Sequence, residues 1–303
     1  MKGKSLISIT DYNKDEYLKI LEIASSFKAN PRQRLLDNYV VASLFFEPST
    51  RTRLSFETAA NRLGARVVGF SESGSTSLRK GESLKDTIKM VSSYADIIVM
   101  RHPVEGSSRW ASEVSSVPVI NAGDGSNQHP TQCLLDLYSI KETQGTLDNL
   151  NIALVGDLKY GRTVHSLVEA MSNFNTTFQL VSPIELKLPR VVKMYIKNNN
   201  LTYTQHIDIK EVMPTADIVY MTRIQKERFN DPMEYEKVKN SYSLTASMLG
   251  PSKPNMKILH PLPRVNEINE DVDNTRQAYY FKQAENGIYV RQALLAAILG
   301  VVK

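Results

Sequence analysis

Glu47-Pro48-Ser49-Thr50-Arg51-Thr52-Arg53 follows directly on the apolar run Val40 to Phe46, Val-Val-Ala-Ser-Leu-Phe-Phe. The run reads as a buried parallel strand. Beyond the quoted stretch, Phe56, Ala59, Ala60 and Leu63 recur at i, i+3, i+4 and i+7, and Gly64 stands where such a helix would stop. Ser49 to Thr52 therefore lie where a strand hands over to a helix. The first-turn N–H groups of a helix have no partner inside it, and together with the helix dipole they favour an anion. Three hydroxyls and two guanidinium groups are added to them here. The local reading is a phosphate cradle. Taken alone, the junction reads more economically as a Ser N-cap beside solvated arginines, so the rest of the chain must decide.

Upstream, Tyr17, Ile20, Leu21 and Ala24 predict an amphipathic helix that Asn30-Pro31 ends. Downstream, Ala65 to Phe70 is a second strand, and Ser71 to Gly81 is a polar loop with no core pattern. Leu84, Ile88 and Val91 resume helical spacing. Asp96 to Met100 is a strand running into Arg101-His102-Pro103, and a short helix around Trp110 leads to the strand Pro118 to Asn121. Pro130 opens a helix carrying Leu134, Leu135 and Tyr138. After Gly145 a second series begins. It has strands at Asn151 to Val155, Phe178 to Val181, Leu201 to Thr204, Asp217 to Met221 and Met256 to His260. Its helices are Arg162 to Phe174, Val191 to Ile196, and a closing one from about Ile288 to Leu299.

Such alternation predicts an α/β fold of two domains, each with a central parallel sheet flanked by helices, and a cleft between them. The length of 303 residues agrees with about two domains. We assign residues 1–130 with the C-terminal helix 287–303 to one domain and residues 131–286 to the other. Ligands of open parallel sheets gather beyond the carboxyl ends of strands. Ser49–Arg53, Arg101–Pro103, Asn127–Gln132, Arg162, Arg223–Gln225 and His260–Pro263 all follow predicted strands, and so should converge on one cleft.

Hydrophobic residues make up 42% and charged residues 23% of the chain, as in an ordinary globular protein. A net charge of +5 raises the alternative of a basic nucleic-acid-binding module. No Lys/Arg block of the kind that forms a basic arm supports it. A single cysteine, Cys133, excludes an internal disulfide framework and suits a reducing cytoplasm; it reads as a small buried hydrophobe. No signal-peptide core and no apolar run of membrane-spanning length is present.

With the clusters in order, the chain resembles the catalytic chains of the aspartate carbamoyltransferase family over essentially its whole length. The matching motifs are Ser49-Thr50-Arg51-Thr52-Arg53, Met100-Arg101-His102-Pro103, Asn121 to Leu137, Tyr160 to Leu167, Thr222 to Phe229 and His260 to Arg264. The ornithine carbamoyltransferases share the first motif. They typically carry a Cys in a His-Cys-Leu-Pro motif where this chain has His260-Pro261-Leu262-Pro263, and they lack the Arg223-x-Gln225 arrangement. A dicarboxylic acceptor needs cations, which favours aspartate over ornithine or another amino-acid acceptor.

The resemblance implies transfer of the carbamoyl group of carbamoyl phosphate to L-aspartate, a step of pyrimidine biosynthesis, without metal or organic cofactor. It places phosphate on Ser49, Thr50, Arg51 and Thr52, completed by Ser77 and Lys80 from a neighbouring subunit of a homotrimer. Thr52, Arg101 and His129 would polarise the carbonyl, and Gln132 would hold the carbamoyl NH2. Arg162, Arg223 and Gln225 would take the aspartate carboxylates with Lys80, while Leu262 and Pro263 offer backbone carbonyls. Glu47 and Glu234 would pair with Arg162, Arg223 or Arg228 on closure. Gly156-Asp157 departs from a dinucleotide fingerprint and is expected to shape the loop presenting Arg162. His102 to Glu113 resembles those members that pair with a zinc-containing regulatory chain.

Overall fold

The computed structural model describes residues 1–71, 81–229 and 231–302. The chain divides into two compact units, Met1–Tyr138 with Glu285–Lys303, and Ser139–Ala284. The first unit opens with α1 (Lys14–Ala29), whose N-cap Asn13 and Glu16 form a reciprocal capping box. Its helical face of Tyr17, Ile20, Leu21, Ala24 and Phe27 is buried. The chain then runs through β1 (Val40–Phe45), α2 (Thr50–Arg62), β2 (Arg66–Phe70), α3 (Leu84–Ser92), β3 (Ile97–His102), α4 (Ser107–Val114) and β4 (Val119–Asp124). The sheet order is β2-β1-β3-β4, with every pairing parallel. β1 is central and buried after its first residue, which is why its sequence shows no alternation of polar and apolar residues. β2, at the edge, has no fully buried residue. Ala42, Leu44, Ile88, Ile98, Met100, Ala111 and Val119 form the core on one side of this sheet.

α5 (Pro130–Gln144) contains the first boundary between the units. The second unit adds β5 (Asn151–Val155), α6 (Arg162–Met171), β6 (Thr177–Val181), α7 (Arg190–Asn198), β7 (Thr202–His206), β8 (Ile218–Met221), α8 (Pro232–Val238) and β9 (Lys257–Leu259). Its sheet order is β7-β6-β5-β8-β9, again parallel throughout. Ala153, Val155, Val181, Val219, Met221 and Ile258 are buried in its main cluster. The second boundary falls inside α9 (Tyr280–Leu299).

Three differences from the sequence-based expectation have clear causes. α9 starts at Tyr280 rather than near Ile288, because the helix runs through Gly287. β3 and β4 continue past Met100 and Asn121 into the polar residues Arg101-His102 and Ala122–Asp124, which pair with each other across an irregularity in register. α8 is absent from the expected elements, although Asp231 caps it through Met233 N–H and Pro232 occupies its first turn, a combination that marks helix starts.

Candidate active site

In the first sheet the strand order reverses between β1 and β3, so the connections leave in opposite directions and open a crevice at the carboxyl ends. The stretch Glu47 to Arg53 leaves β1 at this point, and Arg101, the last residue but one of β3, lies beside it. Phe45 and Arg101 are register partners, and Phe46 N–H donates to the Arg101 carbonyl at 2.9 Å. Ser49 is the N-cap of α2 in extended backbone geometry, but its hydroxyl makes no hydrogen bond to the first turn. The helix therefore begins without a side-chain cap. Thr52 is buried and Arg51 is exposed. Arg101 lies with Nη2 2.7 Å from Glu47 Oε1 and Nη1 3.4 Å from the Ala122 carbonyl. Glu47 thus pairs with Arg101, a residue of its own unit.

The segment between β4 and α5 is shaped by a buried carboxylate. Asp124 accepts from Asn121 Nδ2 and Gln128 N–H on Oδ1, and from Gly106 N–H and Asn127 Nδ2 on Oδ2, all at 2.9–3.1 Å. Asn121 in turn accepts from Ser108 and the Gly123 N–H. This network fixes the backbone that delivers His129, buried at the start of α5, whose carbonyl accepts from the Gln132 and Cys133 N–H groups. Gln132 Nε2 donates to Asp136 Oδ1, one turn along α5, at 2.9 Å. The amide is thereby oriented with Oε1 as an acceptor, the polarity needed to hold an NH2 group. Cys133 is buried, as expected.

The second sheet repeats the logic. Its order reverses between β5 and β8. The segment after β5 delivers Arg162 as the first residue of α6, and the segment after β8 delivers Arg223 and Gln225. Thr222 ties the two together: its N–H and hydroxyl both donate to the Val155 carbonyl, at 2.8 and 3.0 Å, and its Oγ1 accepts from Asp157 N–H at 3.0 Å. Gly156 permits this approach, since a Cβ there would lie 2.3 Å from the Thr222 carbonyl oxygen, and its φ of +113° disfavours any other residue. Asp157 Oδ1 accepts from Tyr160 N–H at 2.9 Å, which shapes the turn into Arg162 as anticipated. Burial holds the Asp157 carboxyl above its usual range, against the pull of the Tyr160, Gln225 and Lys159 backbone N–H groups. His165 Nε2–H reaches the Leu158 carbonyl at 2.9 Å, and burial lowers the affinity of this ring for a second proton. Phe229 stacks edge-on between Tyr160 and Tyr235, 5.6 Å from each, joining both segments to α8.

Next to β8 lies β9, which runs into His260-Pro261-Leu262-Pro263. Leu262 adopts φ 56° and the Leu262–Pro263 bond is cis. Leu262 is half-buried and Pro263 exposed.

The structure therefore assembles the predicted residues in two sets. Ser49, Thr50, Arg51, Thr52, Arg101, His129 and Gln132 lie in the first unit, at or beyond the carboxyl ends of β1, β3 and β4; Arg162, Arg223, Gln225, Leu262 and Pro263 lie in the second, beyond those of β5, β8 and β9. Ser77 and Lys80 lie outside the described residues. Sequence reasoning gave no role to Asp124, Asp136, Thr222 and Glu267, which support these sets through hydrogen bonds.

The sequence matches two family profiles. One is "Aspartate/ornithine carbamoyltransferase, carbamoyl-P binding domain" over residues 4–142, and the other is "Aspartate/ornithine carbamoyltransferase, Asp/Orn binding domain" over residues 148–298. The aspartate carbamoyltransferase catalytic subunit of Bacteroides fragilis is 62% identical over 99% of this chain and 98% of its own. That of Chromobacterium violaceum is 55% identical over 99% of each. Among solved structures, the catalytic subunit of M. jannaschii aspartate transcarbamoylase superposes with a TM-score of 0.92 at 51% identity, covering 98% of both chains. Aspartate transcarbamoylase from Trypanosoma cruzi in complex with N-(phosphonacetyl)-L-aspartic acid gives 0.93 at 36% identity, covering 98% of this chain and 96% of that one. Two profiles that together span nearly the whole sequence, and relatives matched end to end, place this chain in the aspartate/ornithine carbamoyltransferase family.

Proposed function

We propose that this chain transfers the carbamoyl group of carbamoyl phosphate to the amine of L-aspartate, giving N-carbamoyl-L-aspartate and phosphate in pyrimidine biosynthesis. The observation that carries the reading is the uncapped start of α2 at the β1/β3 switch point, with Arg101 beside it. Full-length relatives named aspartate carbamoyltransferase catalytic subunit support the acceptor. The first unit is the carbamoyl-phosphate side, and the second is the aspartate side.

Phosphate is held by the first-turn N–H groups of α2, the hydroxyls of Ser49, Thr50 and Thr52, and Arg51, whose planar fork grips two oxygens at once. Thr52, Arg101 and His129 direct donors at the carbamoyl oxygen, where negative charge grows as the amine adds. One such donor is worth about 2.7–4 kcal/mol in the transition state. Gln132 takes the NH2 group. Arg162, Arg223 and Gln225 hold the aspartate carboxylates, and the Leu262 and Pro263 carbonyls accept from its amine. The C–N bond forms, the C–O bond to phosphate breaks, and the departing phosphate takes the amine proton. Glu47 occupies Arg101 until the substrate's own charge competes for it.

Carbamoylation of aspartate and ornithine, measured side by side, tests the acceptor. Turnover of aspartate is expected, and preference for ornithine would refute the reading. In Arg223→Ala the aspartate KM should rise at least about tenfold, the effect of one lost charge-assisted hydrogen bond, with the carbamoyl-phosphate KM little changed.

Ser77 and Lys80 serve a neighbouring copy in a homotrimer, and the enzyme works in the cytoplasm. No helix among the described residues is long and apolar enough to cross a membrane. Mixing inactive Lys80→Ala and His129→Ala chains should restore activity to mixed trimers; verified mixed trimers without activity would exclude shared sites. The segment His102 to Glu113 is the surface for a zinc-containing regulatory chain, in keeping with relatives named as catalytic subunits.

A further inference from the structure

The turn after β9 is held by one imidazole through both of its nitrogens. Leu262 N–H donates to His260 Nδ1 at 2.7 Å, and His260 Nε2 lies 2.7 Å from Glu267 Oε1. A backbone N–H can only donate, so Nδ1 is the acceptor and the ring proton is on Nε2, directed at the carboxylate. The other oxygen of Glu267 accepts from the Val265 and Asn266 N–H groups at 3.1 and 3.2 Å, and its carbonyl accepts from Leu244 N–H at 2.9 Å. His260 N–H itself donates to Gln283 Oε1 of α9 at 2.8 Å. Both side chains are buried, at 1% and 6% exposure, so water cannot replace these bonds. The chain Gln283–His260–Glu267 therefore pins a closed ring of backbone from residue 260 to residue 267. Leu262, at φ 56°, is the member of that ring in a conformation that a side chain of its kind rarely adopts.

We propose that His260 is a positioning residue for the acceptor amino acid: its unprotonated Nδ1 holds the Leu262 N–H and so sets the direction of the Leu262 and Pro263 carbonyls. The inference rests on the reading above that these carbonyls meet the substrate amine. Its chemistry requires the neutral ring. A proton on Nδ1 would face the Leu262 N–H donor to donor and release the turn. Glu267 and Arg264 from the same segment and Arg223 from the segment after β8 are the charged groups acting on the ring, while α9 presents the neutral Gln283. Burial, Arg223 and Arg264 oppose protonation and outweigh the attraction of Glu267. The ring is thus neutral where the enzyme works, and Arg223, which binds the carboxylate, also helps to keep it so.

The test compares His260→Leu, which removes both bonds, with His260→Asn, whose Oδ1 falls near the place of Nδ1. In His260→Leu the aspartate KM should rise about ten- to hundredfold, the effect of leaving a buried hydrogen-bonding group unmatched, while the carbamoyl-phosphate KM stays within about twofold. His260→Asn should recover most of the loss. Equal rises in both KM values, or equal defects in the two variants, would reduce His260 to general support and overturn the inference. Nitrogen NMR of the unmutated chain decides even if the leucine variant fails to fold. It should show the neutral Nε2–H tautomer across about pH 6 to 8, and a protonated ring or the Nδ1–H tautomer there would also overturn it. Absence of aspartate turnover in the unmutated chain would instead strike the functional reading, which separates the two failures.

Discussion

Arg291 is a cation buried to 3% exposure in the last helix, and its surroundings explain why it survives there. Its Nη1 donates to Ser55 of α2 at 2.9 Å and its Nη2 to Thr131 of α5 at 3.5 Å, while the guanidinium lies 5.0 Å from the Phe56 ring centre. It therefore joins the helix that starts the phosphate cradle to the helix that carries Gln132. Burial pulls its pKa down to about 10, with Asp136 pulling the other way, so it stays charged at neutral pH. Gly287, one turn earlier, makes room: a Cβ there would sit 2.3 Å from Arg291 Nη1. Arg291→Met should lower the free energy of unfolding by about 2–4 kcal/mol, between the cost of one unmatched buried group and that of a broken buried charge pair. Urea denaturation measures it, and a loss below about 0.5 kcal/mol, the range of surface substitutions, would contradict this account. Arg51, Arg101 and Arg223 could be nominated from the sequence because the roles proposed for them need a cation just beyond a strand. Arg291 could not. Nothing in its neighbourhood along the chain indicates that Ser55 and Thr131 will be brought to it.

Strands were more legible than the ends of helices. A buried parallel strand must be apolar on both faces, and Val40 to Phe46, Asn151 to Val155 and Asp217 to Met221 advertise this in consecutive residues. Helix boundaries depend on contacts made elsewhere. Gly287 reads as a break because glycine in a helix interior is destabilising by roughly 0.5–1 kcal/mol relative to alanine. In the structure it is an ordinary helical residue, held by the packing of α9 and by the guanidinium that needs its empty side. The polar ends of β3 and β4 were hidden for a related reason. Asp124 looks like a loop residue, yet it is fully buried because it accepts from Asn121 and from surrounding N–H groups.

Across the whole molecule, three histidines share a response to acid. Burial keeps His102, His165 and His260 below the ordinary value of 6.5. The unfolded chain therefore takes up these protons first as pH falls. Their contribution is complete above about pH 6.5 and is lost progressively below it, toward the lowered folded values. A tenfold difference in proton affinity between the folded and unfolded chain is worth about 1.4 kcal/mol. Glu267 and Asp273, both held below their usual range, add a further loss at lower pH, as the folded carboxylates finally protonate. For Glu267 burial acts in the opposite sense but is outweighed by the hydrogen bonds from His260 and the backbone; for Asp273 the Arg264 hydrogen bond leads. The melting temperature should thus decline between pH 7 and pH 5, and a flat or rising profile over about that interval would count against it. The two-domain α/β architecture was plain from strand and helix alternation, whereas this acid response was not, since it depends on how deeply each ring is packed. The knot of Thr222 and Asp157 has a consequence for the family's choice of acceptor. Arg162 stands on one side of that knot and Gln225 on the other, so neither segment can be re-cut alone without dragging its neighbour. If Arg162 and Gln225 hold the acceptor as proposed, a lineage adopting a new amino acid would revise both segments in concert.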